Sequence, residues 1–214
     1  MIRNHYETVK NSLNGAELCI VTKYRNTEEI LSYYAEGERI FAENHAQELL
    51  AKAPLLPADI RWQFIGHLQR NKVRSILPYV SCIQSLDSLE LAKVIEKEAA
   101  RIGKTVSVLA EFHLAEEDEN KTGLLKEDAL SFFAEVMKYE HLDLCGIMVM
   151  GPHTEDSERI CSVFREGKAL FDELQNTYGS DRIRILSMGM SSDYPLALSC
   201  GSTMVRIGTY LFQE

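Results

Sequence analysis

Short runs of consecutive apolar residues alternate with longer amphipathic stretches along the chain. Leu18-Cys19-Ile20-Val21, the stretch from Val106 to Phe112, Leu144 to Met150 and Met204 to Gly208 are close to continuous rather than alternating in polarity. Such runs suit parallel strands buried on both faces. The pattern predicts an opening helix and then eight strands, over residues 17–23, 39–44, 60–66, 80–86, 106–114, 144–151, 183–190 and 203–209. The segments between them carry helical spacing. In 88–101, Leu89, Ala92, Val94, Ile95 and Ala99 recur among Glu and Lys, and 156–177 is similar and longer. Most connections have room for the helix that a parallel crossover requires. Eight βα repeats in a chain of this length predict an α/β fold: a single (β/α)8 TIM-type barrel with an extra N-terminal helix, one domain over residues 1–214. An open doubly wound sheet is the alternative, because closure is not written in periodicity.

Composition narrows the function. Hydrophobic residues make up 45% and charged residues 26% of the 214, an ordinary globular balance. The formal net charge of −9 argues against a nucleic-acid partner, which needs a basic face. Five cysteines, an odd number with no C-x-x-C pair, argue against a disulfide framework or a thiolate metal site and for a reducing cytoplasm. No stretch approaches the ~18 apolar residues of a membrane span, and the first residues lack an export signal's apolar core. The charged segment 116–121 and the segment 54–57 read as loops, not domain linkers.

Barrels of this kind work at the C-terminal ends of their strands, so the polar residues there are the candidates. Lys23 ends the first predicted strand; it is either a solvated terminal lysine or, partly desolvated, an amine able to form an imine with a carbonyl. Asn44 ends the second strand. His67 follows the third; a lone histidine is more often a structural hydrogen-bonder than a catalyst. Ser187-Met188-Gly189-Met190-Ser191-Ser192-Asp193 joins a strand to a helix. Its small residues leave N–H groups open to an anion, while Ser192 or Asp193 can serve simply as a helix cap. Arg206, set among Met204, Val205 and Ile207, needs a partner if buried, either a ligand or an acid such as Glu43 or Glu111. Gly208 permits close approach to the backbone, and Thr209 adds a hydroxyl. The methionines near 147–150 read as core filler. No histidine pair has metal-ligand spacing, and no Walker, dinucleotide or nucleophile-elbow motif is present.

Four segments together resemble one family, the pyridoxal-phosphate homeostasis proteins, whose fold is similar to the barrel domain of bacterial alanine racemase. They are Ile20-Val21-Thr22-Lys23, Phe41-Ala42-Glu43-Asn44, Trp62 through Gln69, and LSMGMSSDYPLALSCGSTMVRIGTYLF from Leu186 to Phe212. The last is the most specific, and the likeness spans essentially the whole chain. Ala42 replaces a usual glycine, Gln63 stands where a histidine is common, and Tyr24-Arg25 is atypical.

The resemblance implies a cofactor, pyridoxal 5′-phosphate, held as a Schiff base on Lys23. It implies Asn44 near the cofactor ring, and Ser191, Gly208 and Thr209 at the phosphate. Arg206 would face the pyridine nitrogen, and His67, Ser187 and Met188 would line the same mouth. A guanidinium at that nitrogen disfavours ring protonation and so weakens the electron sink. A racemase also needs a base on each face of the substrate carbon; alanine racemase draws one from a second domain, which this chain, ending at Glu214, is expected to lack. The expectation is a cytoplasmic, monomeric, metal-free protein of vitamin B6 homeostasis and amino-acid balance. It would have little or no turnover, and PLP-dependent apo-enzymes are its possible partners. A weak racemase-like enzyme is the first alternative, and a Schiff-base aldolase the second.

Overall fold

The computed structural model describes residues 2–115 and 123–213. The segment 116–121, read above as a charged loop, lies outside the described residues. After helix α1 (Ile2–Ser12), eight strands alternate with helices: β1 (Glu17–Val21), α2 (Thr27–Ala35), β2 (Ile40–Glu43), α3 (Ala46–Lys52), β3 (Arg61–Phe64), α4 (Arg70–Ile76), β4 (Val80–Leu86), α5 (Leu89–Arg101), β5 (Val106–Phe112), α6 (Ala129–Val136), β6 (Leu142–Val149), α7 (Ser157–Tyr178), β7 (Ile185–Ser187), α8 (Tyr194–Ser199), β8 (Met204–Ile207) and α9 (Thr209–Phe212). Every strand pairs in parallel with its neighbour in sequence, and β1 pairs with β8, Glu17 opposite Met204 through Ile20 opposite Ile207. The sheet is a closed barrel, which removes the open-sheet alternative.

Strand parity sorts the buried residues into two sets. Leu18, Ile20, Phe41, Trp62, Phe64, Val108, Ile147, Leu186, Val205 and Ile207 join the core beneath the helices. Their strand neighbours Cys19, Val21, Ile40, Ala42, Met204, Cys82, Leu109, Cys145 and Met148 form two smaller clusters inside the barrel. The continuity of the apolar runs follows, since both faces of each strand are covered. The interior is not uniformly apolar: Gln63, Gln84, Glu111, Ser187 and Arg206 are buried as well.

Most strands are shorter than the ranges predicted for them, whereas β6 keeps its predicted length and begins two residues earlier, at Leu142. β1 stops at Val21, so Lys23 lies in the following turn, where Tyr24 takes φ 64° before Asn26 caps α2. β7 covers only Ile185–Ser187 of the predicted 183–190, because Gly189 turns the chain away with φ 95°. Thr209 opens α9 instead of extending β8. All five cysteines are free. Among the described residues no helix is long and apolar enough to cross a membrane, and no His, Cys, Asp or Glu cluster suits a metal.

Candidate functional site

At the C-terminal mouth of the barrel lies a cavity of about 500 Å3, within the range of small-molecule sites. Lys23 and Val21 reach it from the end of β1, Asn44 from β2, and Met148 and Met150 from β6. Met190, Ser191 and Ser192 come from the loop before α8, with Arg206, Gly208, Thr209 and Tyr210 from β8 and the turn into α9. The structure thus brings together Lys23, Asn44, Ser191, Arg206, Gly208 and Thr209 of the sequence candidates. His67, Ser187 and Met188 are outside this lining. His67 is exposed beside Asp87, 3.3 Å away, in a larger concavity of about 780 Å3 that shares no lining residue with the first. The smaller cavity is the better candidate because several strand ends converge on it.

Lys23 is exposed at the rim rather than desolvated, and among the described residues its ammonium has no hydrogen-bond or ion-pair partner. Its backbone is pinned from both sides. Lys52 Nζ donates to Thr22 O at 2.8 Å, and Tyr24 N–H donates to Glu48 Oε2 at 2.7 Å. Lys52 also donates to Glu48 and to Glu43 Oε1, each at 2.7 Å, and Thr22 Oγ1 donates to Glu43 Oε1 at 2.6 Å. Burial pushes the Glu43 carboxyl above the usual carboxylate range, with Lys52 and Thr22 opposing it. Burial acts on Glu48 in the same direction, but Lys52 and the Tyr24 N–H outweigh it and hold the carboxyl low.

Across the mouth, Ser191 Oγ accepts hydrogen bonds from Gly208 N–H at 3.3 Å and Tyr210 N–H at 3.2 Å. Two backbone donors thus converge on one oxygen, as an anion cradle requires. A Cβ on Gly208 would come within 2.9 Å of Val21 O, so only glycine lets the two strand ends approach this closely. Asp193 precedes α8, yet its side chain makes no cap bond to that helix. Oδ1 instead accepts from Met190 N–H at 2.6 Å and ties the loop back on itself. Burial raises the Asp193 carboxyl, while the Met190 N–H and Arg206 pull it down.

Arg206 is 3% exposed at the cavity floor. Its guanidinium donates to Ser187 O at 2.8 Å, Ser187 Oγ at 2.7 Å and Val149 O at 3.0 Å. Its hydrogen bonds thus go to neutral oxygens; of the acids considered above, Glu43 lies on the outer face of β2, bound to Lys52, while Glu111 acts on Arg206 through its charge. Burial lowers the Arg206 pKa, opposed by Cys19, Asp193 and Glu111. Ser187 sits beneath Arg206. Met188 packs toward α7, where a Cβ on Gly167 would lie 3.7 Å from its Sδ. Sequence reading missed Tyr210 and took Met148 and Met150 for filler; their two-residue spacing at the end of β6 is the signal that both face inward.

A family profile described as the N-terminal domain of alanine racemase matches residues 1–214. The pyridoxal phosphate homeostasis protein of Helicobacter pylori is 37% identical over 201 residues, covering 92% of this chain and 87% of that protein. PipY of Synechococcus elongatus, solved with PLP bound, superposes with a TM-score of 0.91 at 30% identity, covering 100% of both chains. Alanine racemase of Clostridium difficile, 20% identical with a TM-score of 0.76 and 55% of its chain covered, shares the fold. The chain belongs to the pyridoxal phosphate homeostasis proteins, a family built on the alanine racemase N-terminal barrel.

Proposed function

We propose that this protein holds pyridoxal 5′-phosphate covalently through Lys23 and acts in vitamin B6 homeostasis with little or no turnover. The supporting observation is one cavity that combines a partner-free lysine, an oxygen cradle at Ser191, Gly208 and Tyr210, and a buried guanidinium. The PLP-bound relative PipY supports the same ligand. When bound, the cofactor supplies an aldehyde for an amine and a ring that stabilises negative charge when its nitrogen is protonated. Lys23 provides the amine that forms the Schiff base. The hydroxyl of Ser191, oriented by the N–H groups of Gly208 and Tyr210, and that of Thr209 bind the phosphate as neutral donors, which lets a chain of net charge −9 take up a dianion. Asn44 flanks the ring, and Arg206 faces its nitrogen and opposes protonation there. That arrangement favours storing the cofactor over using it.

The test is an absorbance spectrum of the protein loaded with pyridoxal phosphate, before and after borohydride, beside Lys23→Ala. A visible band that disappears on reduction and leaves cofactor mass on Lys23 is expected. A wild type that takes up no cofactor overturns the reading. Tyr210, a titratable group lining the same cavity, is the one observation favouring the racemase-like alternative. Racemisation of a common amino acid at an ordinary enzymatic rate, abolished in Tyr210→Phe, would establish it.

A further inference from the structure

Beneath Arg206 a buried chain of polar side chains runs through the barrel interior. Ser187 Oγ accepts from Arg206 at 2.7 Å and donates to Gln84 Oε1 at 2.7 Å. Gln84 Nε2 donates to Gln63 Oε1 and lies 3.3 Å from Met204 Sδ, and Cys19 Sγ donates to Gln63 Oε1 at 3.8 Å. In the structure the Gln84 NH2 faces Gln63 and its carbonyl faces Ser187. That carbonyl takes the one Ser187 proton and leaves the hydroxyl lone pairs to the guanidinium. Gln84 and Ser187 are both 0% exposed, so no solvent competes for these contacts.

We propose that Gln84 is a positioning residue, acting through Ser187 to hold the Arg206 guanidinium against the ring nitrogen of the bound cofactor. This rests on the cofactor reading above. The hydrogen-bond chain itself carries no carboxylate. The ionisable groups bearing on Arg206 are Cys19 from β1, Glu111 from β5 and Asp193 from the loop before α8. None of them is part of the link between Gln84 and Arg206. Gln84→Leu removes the acceptor for the Ser187 proton at nearly constant volume. The hydroxyl then turns freely and the guanidinium loses one of its three fixed contacts.

The experiment loads wild type, Gln84→Leu, Ser187→Ala and the double variant with pyridoxal phosphate labelled with 15N, and follows the ring-nitrogen chemical shift against pH. The expected result is a rise in ring-nitrogen pKa of about one unit in Gln84→Leu, a tenfold gain in proton affinity. Ser187→Ala is expected to show the same rise, and the double variant no more than either single, as for residues acting in series. A loaded Gln84→Leu protein with the wild-type titration overturns the inference, as do additive effects in the double variant. If Gln84→Leu fails to fold, Ser187→Ala carries the same test with a smaller deletion, and an unshifted titration there overturns the inference equally. A wild type that takes up no cofactor refutes the cofactor reading instead, which separates the two failures.

Discussion

Replacing Lys52 by Met tests the support beneath the Lys23 turn. The Lys52 side chain is 11% exposed and that of Glu43 is 0% exposed, with Oε2 of Glu43 already lacking a partner. The substitution strands a buried carboxylate and frees Thr22 O and Glu48. Removing one partner of a buried pair costs about 3–5 kcal/mol, far more than the ~1 kcal/mol ceiling of an exposed pair. For a domain of this size that lowers Tm by roughly 6–20 °C. The sign with pH follows from Glu43, whose pKa is raised in the folded protein. Such a group contributes stability that is complete below its unfolded pKa and is lost as pH rises through its folded pKa. Without Lys52 the folded pKa climbs further, so the loss is expected to be larger at pH 8 than at pH 5, because lower pH favours the neutral carboxyl. Denaturant titrations at both pH values, with Glu43→Gln added to the Lys52→Met background, measure this. A cost below about 1 kcal/mol at pH 8, or no recovery on adding Glu43→Gln, refutes the reasoning.

Gly208→Ala should weaken pyridoxal phosphate binding at least about tenfold by forcing Val21 away from the strand end, with a smaller effect on Tm; an unchanged Kd by fluorescence titration contradicts the cradle. Asp193→Ala should cost about 1–3 kcal/mol in denaturant unfolding, because the Met190 N–H loses its acceptor. Burial pushes the Cys19 thiol up to about 12 and that of Cys145 up to about 11, so both should resist iodoacetamide at pH 8 in the native protein. The partly exposed Cys200 should react first, as peptide mass mapping would read out.

The sequence carried the barrel because each strand, covered on both faces, had to be an apolar run, and because polar residues interrupt those runs where the mouth opens. β4 was legible to its end residues, since Leu86 is followed at once by the polar Asp87 and the cap Ser88. Strand ends elsewhere were overrun. Apolar character continues past Ser187 into Met188 and Met190, but conformation at Gly189 ends the strand. Parity decided most of what was missed. Ser187 is a mouth residue by sequence position, yet it points under Arg206. Glu43 and Arg206 stand on the two strands that flank β1 and lie on opposite faces of the barrel wall. The chain from Ser187 through Gln84 to Gln63 joins residues of three strands and leaves no trace in local spacing.

The seam between β1 and β8 bears on the order of events during folding. Every other strand pair joins neighbours in sequence, whereas this one brings residues 17–20 against 204–207. Tyr33 OH crosses the same divide to Leu211 O at 2.6 Å. Closing so long a loop is among the entropically dearest contacts in the molecule, so the seam is expected to form late in assembly. Lys23 stands at one lip of the seam and Gly208 through Tyr210 at the other. The cavity therefore comes into being only as the ring shuts. A ligand held across it binds only when both lips are in place and so stabilises the closed ring. A chain still emerging from the ribosome presents half a mouth until β8 and the turn into α9 are free.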